Sequence, residues 1–411
     1  MKKIGLLPRI LIAIALGIAC GLFFPDELAR VFVTFNGLFG NFLSFIIPLI
    51  IVALITPAIS ELGRGAGKWL AITAGIAYLS TILAGGLALA VGLLAFPRML
   101  TADSGPGSLG NPEEGLLTPY FTVEMDPVFG VMTALVLSFV LGVGLTLIEG
   151  RTLLQGFVEM RQIVERTISA IIIPLLPVYI FGIFLNMTVA GQVGAIILTF
   201  LGVIALVFAL TVVVLLGQYG VASLVSRTNG YRALATMMPA YATALGTSSS
   251  AATIPVTLRQ AIKAGVTPSV ASFVIPLCAT IHLAGSTVKI TAFSLAIMVL
   301  SGRPIDLPTM IGFVFMLGVT MVAAPGVPGG AIMTAAGLLS SMLGFSEPMV
   351  GLMIATYIAI DSFGTATNVT GDAAIAIIVD KLSKGSLGEE PTAALDGIPG
   401  GGAQVWEDVP A

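Results

Sequence analysis

Apolar stretches long enough to span a bilayer begin near Ile4, Leu38, Trp69, Pro127, Ile168, Gly194, Val270 and Met349, given that a spanning helix needs about 20 such residues. The pattern predicts an all-α membrane protein with about eight transmembrane helices. Two further apolar segments are interrupted. Tyr231 to Lys263 breaks at GTSSSAATIP, where Gly246 to Ser250 can hardly continue a helix. Its ends carry Arg232, Arg259 and Lys263, which puts both ends on one side of the membrane, as in a re-entrant hairpin. Leu307 to Leu343 breaks at AAPGVPGG, whose prolines remove backbone donors and whose glycines free the dihedrals. Non-helical backbone at membrane depth is tolerated only where protein buries it or a cavity meets it. A kinked spanning helix explains either segment alone; a pair of broken segments points to a transporter's binding site.

The last apolar helix adds chemistry to that pattern. In IDSFGTATNVTGD, from Ile360 to Asp372, a rotation of about 100° per residue brings Thr365, Asn368 and Asp372 within roughly 40° of Asp361. One face thus carries two acids, an amide and a hydroxyl, with the acids about 16 Å apart along the axis. Ionisable groups at this depth are costly and usually line a pathway for ions or substrates. The bland alternative is a polar seam that glues helices together. The sharper one is a binding site with two separate cationic clients.

Composition places the whole chain in the membrane: 57% of residues are hydrophobic and 9% charged, with mean hydropathy +1.06, far from a soluble domain. The N-terminal stretch reads as a first span, since it runs to Phe24 without a small-residue cleavage site. Short loops carry Lys2, Lys3 and Arg9; Arg64 and Lys68; Arg151, Arg161 and Arg166; Arg227 and Arg232; Lys381 and Lys384. The connection after the third span is acidic, with Asp103, Glu113 and Glu114. The positive-inside rule then puts both termini in the cytoplasm, in an inner or plasma membrane. A tail at 385–411, rich in Gly and Pro, is expected to be disordered. Cys20 and Cys278 lie far apart and imply neither disulfide nor metal motif. A net charge of −3 says little about partners in such a chain, and no nucleic acid is expected.

Four motifs carry a family likeness: Ser248-Ser249-Ser250 followed by Pro255, CATIHLAG from Cys278 to Gly285, Gly326-Val327-Pro328-Gly329, and Asn368-Val369-Thr370-Gly371-Asp372. In this order they resemble the dicarboxylate/amino acid:cation symporters, the glutamate transporter homologues, over nearly the whole chain. The resemblance implies a fold built from inverted repeats. The resemblance implies scaffold helices 1 and 2 at 1–68 and helices 4 and 5 at 98–190, which would also hold a homotrimer together. A transport domain, helix 3 at 69–97 and everything from 191 to 384, would cross it like an elevator.

The resemblance also implies roles. Ser248, Ser249 and Ser250 would cradle a substrate α-carboxylate at a half-helix N-terminus. Asp361 would take the α-amino group and Asn368 the substrate backbone, with Ser286, Lys289, Gly326, Val327, Gly364 and Thr365 around them. One Na⁺ would sit with Asp372, Asn368 and the backbone near Cys278 and His282. A second would lie between Thr280 and the carbonyls of Met321, Val322 and Ala324, so that closure of the second hairpin couples ion to substrate.

The departures matter as much. His282-Leu283-Ala284 stands where the family usually has Asn-Met-Asp, so a third Na⁺ site lacks its carboxylate, with Tyr78 and Thr81 as remaining oxygens. His282 is the single histidine, open to a proton role or to neutral packing. The arginine positions of acidic-substrate members hold Ser248 and Gly364. Lys289, two turns beyond His282, is then expected to lack an anion and to receive the side chain of an acidic amino acid or dicarboxylate. The competing reading pairs Lys289 with Asp361 and leaves a small pocket beside Gly364 for alanine, serine or threonine. The chain is not expected to be an enzyme: the serine motif lacks the usual following glycine of an intramembrane protease, and the two aspartates share one helix. A passive channel is the other class weighed against a symporter.

Overall fold

The computed structural model describes residues 6–64, 68–100, 115–191, 193–322, 324 and 328–383. Every regular element among them is helical: α1 (Leu6–Gly21), α2 (Asp26–Arg64), α3 (Lys68–Met99), α4 (Val131–Leu147), α5 (Thr152–Thr167), α6 (Ile173–Val189), α7 (Val193–Ser226), α8 (Gly230–Thr236), α9 (Met238–Thr247), α10 (Ser250–Lys263), α11 (Pro268–Ile281), α12 (Ala284–Leu300), α13 (Leu307–Met321), α14 (Gly330–Leu343), α15 (Glu347–Ala359) and α16 (Asp361–Ser383). Five helices among the described residues are long and apolar enough to cross a membrane, or six if the bent pair α15–α16 counts as one span. The expected first and fourth spans, α1 and α4, are shorter apolar helices of 16 and 17 residues.

Several boundaries differ from expectation. The second span begins at Asp26, well before Leu38, because Asp26 and Glu27 in the first turn complement the helix dipole. The fifth does not begin at Ile168: α5 joins α6 through a π-helical turn at Ile168–Ile172, so Arg161 and Arg166 lie on a helix and not in a loop. Gly246 is still helical, and the first interruption narrows to Ser248 and Ser249. Ser248 adopts the left-handed conformation, with φ 50°. Helices α9 and α10 pack against each other across this break, and α13 and α14 do so across theirs. The tail at 385–411 lies outside the described residues.

Packing separates a centre from a rim. All but one of the 17 residues of α12 are buried within the protein, against nine of 32 in α3. A helix apolar all round belongs in the core, and α12 meets α3, α7, α15 and α16. Helices α3, α4 and α7 instead turn Leu79, Leu83, Val136, Val140, Leu201 and Leu224 outward. On a soluble surface such patches would drive association; here they suit lipid. On the other side α1 packs on α6, and α2 on α4 and α6. Beyond the apolar segments, Asp306 caps α13, and the amide and hydroxyl of Thr309 hold its carboxyl below the usual carboxylate range.

Candidate functional site

Helix α16 gathers two polar clusters. Asp361 does not sit inside a continuous apolar helix, as the sequence pattern suggested: α15 ends at Ala359, and α16 leaves it at 63°. Asp361 is therefore the first residue of α16, where the free N–H groups and helix dipole favour an anion. Its Oδ1 lies 3.0 Å from Lys289 Nζ. Its Oδ2 accepts a 2.8 Å hydrogen bond from the Gly329 N–H at the second interruption. Lys289 Nζ also lies 3.7 Å from the centroid of the Tyr357 ring, a cation–π contact. Both charged side chains are buried.

This overturns the expectation that Lys289 lacks an anion. Such an ammonium could not stay charged in an apolar core without a partner, and α12 brings it straight to α16. The pair is the one the competing reading expected, and Lys289 takes the space directly beside Gly364. A Cβ at Gly364 would lie 2.3 Å from Lys289 Cε and 2.4 Å from Nζ, so glycine is what lets the lysine cross α16 to reach Asp361.

Between the acids, Asn368 serves the start of α12. Its Oδ1 accepts from the N–H groups of Gly285 at 2.8 Å and Ser286 at 3.4 Å, donors that a helix cannot satisfy itself. Leu283, the residue before α12, provides no side-chain cap. Asn368 Nδ2 and the Tyr357 hydroxyl both donate to Ser286 Oγ, at 3.1 and 2.9 Å. Thr365 is buried on the same helix.

The second cluster centres on Asp372. His282 interrupts α11 and α12, and its Nδ1 lies 2.9 Å from Asp372 Oδ1. Its Nε2 lies 3.0 Å from Ser80 Oγ and 3.3 Å from Gln218 Nε2, and Gln218 Nε2 donates to Ser80 Oγ at 2.9 Å. Asp372 Oδ2 has no hydrogen-bond donor among the described residues. Gly371 again makes room: a Cβ there would lie 2.6 Å from Gln218 Oε1 and 2.8 Å from His282 Cε1. Each acid thus has a partner inside the chain.

Other expected residues fall elsewhere. Ser249 accepts from the Ala252 N–H and caps α10, Ser248 ends α9, and Ser250 is buried at the start of α10. Both arms of this hairpin, α9 and α10, pack on α16. The Thr280 hydroxyl donates to the Leu277 carbonyl, and the buried Cys278 carbonyl accepts from the His282 N–H. Tyr78 OH donates to the Phe315 carbonyl and Thr81 to Ala77 within its helix. Met321 ends α13, with Val322 capping it and the Ala324 N–H bonded to the Met321 carbonyl at 3.3 Å. Gly326 and Val327 lie outside the described residues. Sequence reasoning missed Ser80, Gln218 and Tyr357, and named Gly329 only as part of the second interruption. Of the three, only Gln218, a lone amide in an apolar span, left a signal.

No group of three or more His, Cys, Asp and Glu side chains poised for a metal occurs among the described residues. A cation at either cluster would depend on a carboxylate together with amide, hydroxyl and backbone oxygens, a set suited to hard ions.

The sodium:dicarboxylate symporter family matches residues 6–382. The serine/threonine transporter SstT of Acinetobacter baumannii strain AYE is 28% identical over 404 residues, covering 93% of this chain and 98% of that protein. The serine/threonine transporter SstT of strain ATCC 17978 is 29% identical over 399 residues, with the same coverage. The chain belongs to the sodium:dicarboxylate symporter family, and it is a multi-pass membrane transporter rather than an enzyme.

Proposed function

We propose that this chain is a Na⁺-coupled symporter of small neutral amino acids, with serine and threonine the favoured substrates. One observation carries the reading: Lys289 is spent on Asp361 and Tyr357. A second substrate carboxylate would have to take the lysine away from a buried carboxylate, which is strongly unfavourable. A zwitterion needs no such exchange, because the Lys289–Asp361 pair is neutral as it stands. The names of the Acinetobacter relatives point the same way.

In this reading the α-carboxylate meets the N-terminus of α10 at Ser248 to Ser250. The α-ammonium adds to the remaining lone pairs of Asp361, beside Asn368. The Gly329 N–H ties the second hairpin to the same carboxylate, so hairpin and substrate compete for or share Asp361. Na⁺ would be held by Asp372 with Asn368 and carbonyls near Cys278 and His282. A second would lie by Thr280 and the carbonyls of Met321, Val322 and Ala324. Ion and substrate that both favour a closed hairpin raise each other's affinity. His282 is hydrogen-bonded on both ring nitrogens, which favours a fixed packing role over proton coupling. The elevator division between 1–68 with 98–190 and 69–97 with 191–384, the homotrimer and the cytoplasmic termini belong to the same proposal.

Uptake into proteoliposomes tests it. An inward Na⁺ gradient should drive serine uptake uphill, with threonine and alanine competing and aspartate and succinate not. Competition by succinate as strong as by threonine would refute the neutral substrate. Uptake indifferent to Na⁺ would refute the coupling.

A further inference from the structure

A cavity of about 410 Å³ lies away from α16, between α2, α6, the segment at 116–122 and the start of α15. Its size falls in the range of small-molecule sites. Its walls are mostly apolar, among them Val33, Leu117, Ile183 and Met187, and among the described residues no lysine, arginine or histidine lines it.

Two acceptors belong to its lining residues, one open and one buried behind the wall. The first is the Glu347 carboxyl, which has no ion pair or hydrogen bond among the described residues; the glutamate's contact with Tyr179 is through its backbone carbonyl. The second is Asn36 Oδ1, buried and without a donor. The other two amides of the lining are occupied. Asn41 donates to the Val123 carbonyl at 2.7 Å, and Asn186 is tied to the Leu117 backbone through both its ends. A carboxylate partly withdrawn from solvent among apolar walls and without a cation calls for a donor.

Two glycines let these acceptors in. A Cβ at Gly40 would lie 2.8 Å from Glu347 Oε2, and one at Gly182 would lie 2.7 Å from Asn36 Oδ1. Asn36 and Gly40 are one helical turn apart on α2, a separation of about 5–6 Å on one face. The carboxyl thus seats against α2 at the edge of the cavity, with apolar wall beyond it.

We infer that this cavity binds a primary ammonium carrying a small apolar body, the ammonium meeting the Glu347 carboxylate. An ammonium brings three donors and the charge that the carboxylate lacks. A bare metal ion would leave the apolar volume unfilled. Nothing here depends on the transported substrate, since none of these residues belongs to the α16 clusters. The same chemistry is offered by a free alkylamine and by an ethanolamine lipid headgroup.

The test is direct binding to purified full-length protein in detergent, without Na⁺ or amino acid. The probes are n-hexylammonium and its neutral counterpart n-hexanol. The ammonium should bind more tightly by about tenfold or more, the usual worth of a charged hydrogen bond. E347Q should erase the preference. G40A, which keeps the carboxylate but pushes it from its seat, should weaken it. Equal affinity of wild type for amine and alcohol would overturn the inference without any variant, as would an unchanged preference in a folded E347Q. Repeating the titration with added phosphatidylethanolamine or phosphatidylcholine separates the sources. Competition by the first alone assigns the site to the headgroup, and competition by neither assigns it to a free amine.

Discussion

Asp361 and Asp372 share one helix, about three turns apart, and differ in what neutralises them. Asp361 faces a fixed ammonium at 3.0 Å, with an aromatic face behind it and a backbone N–H on its other oxygen. Asp372 faces an imidazole on one oxygen only, and that imidazole is itself held by a hydroxyl and an amide. The first pair carries its own countercharge, so whatever joins it must be neutral overall, as a zwitterion is. The second has no lysine or arginine partner among the described residues, and a buried carboxylate without a full positive charge is costly. A mobile monovalent cation would complete it. On the proposed function, the same residue type would serve an amino acid at one end of α16 and Na⁺ at the other.

The comparison breaks most visibly if the countercharge is removed. Lys289→Met should leave Asp361 buried and unpaired, at about 3–5 kcal/mol of stability. The double variant Lys289→Met with Asp361→Asn should recover most of that loss, because both charges are then gone. Thermal unfolding in detergent measures both. A single-variant loss below about 1 kcal/mol, typical of an exposed pair, would show that the pair is far wetter than its burial says.

Ligand binding separates the acids next. Asp372→Asn should raise the Na⁺ needed for half-maximal uptake by about 10–100-fold, the loss of one charged ligand. Asp361→Asn should abolish serine binding while leaving Na⁺ binding near wild type. If both variants shifted Na⁺ equally, the two ends of α16 would not be distinct sites.

Two glycines offer a gentler version of the same contrast. Alanine at 364 would press on Lys289 Cε and Nζ; alanine at 371 would press on Gln218 Oε1 and His282 Cε1. Each should cost about 1–3 kcal/mol as overpacking. Gly364→Ala should weaken serine binding more than Na⁺ binding, and Gly371→Ala the reverse. Isothermal titration of each ligand reads the sign, and identical effects would mean that α16 responds as one rigid unit.

How far the sequence alone led can be judged from these same residues. The polar face of α16 follows from helical periodicity, so Asp361, Asn368 and Asp372 were legible, as were the two interruptions with their Gly, Pro and Ser. The bend at Ile360 was not legible, because no Gly or Pro marks it; it comes from packing of α15 and α16 on different neighbours. Boundaries failed where apolar periodicity runs through a junction, as it does across α5 and α6. The partner of Lys289 needed tertiary structure, since α12 and α16 are far apart in sequence and periodicity cannot set their register. Gln218 and Ser80 were invisible as a pair for the same reason: they come from α7 and α3 and meet only at His282.

The smallest effect concerns that meeting point. If His282 Nδ1–H donates to Asp372, Nε2 is an acceptor, and two donors are in reach: Ser80 Oγ at 3.0 Å and Gln218 Nε2 at 3.3 Å. Either alone can hold the ring, so Ser80→Ala or Gln218→Leu should each cost only about 0.5–1 kcal/mol. The Na⁺ requirement should move less than about fivefold in each. The double variant leaves Nε2 without a partner, and its shift should exceed the product of the two, as contacts in one network do. The opposite pattern is equally readable. If Ser80→Ala by itself gave the whole loss, Nε2 would carry a proton that only the serine oxygen accepts, because the amide nitrogen of Gln218 cannot. His282 would then be an imidazolium, Asp372 would have its own fixed cation as Asp361 does, and the contrast between the two ends of α16 would vanish.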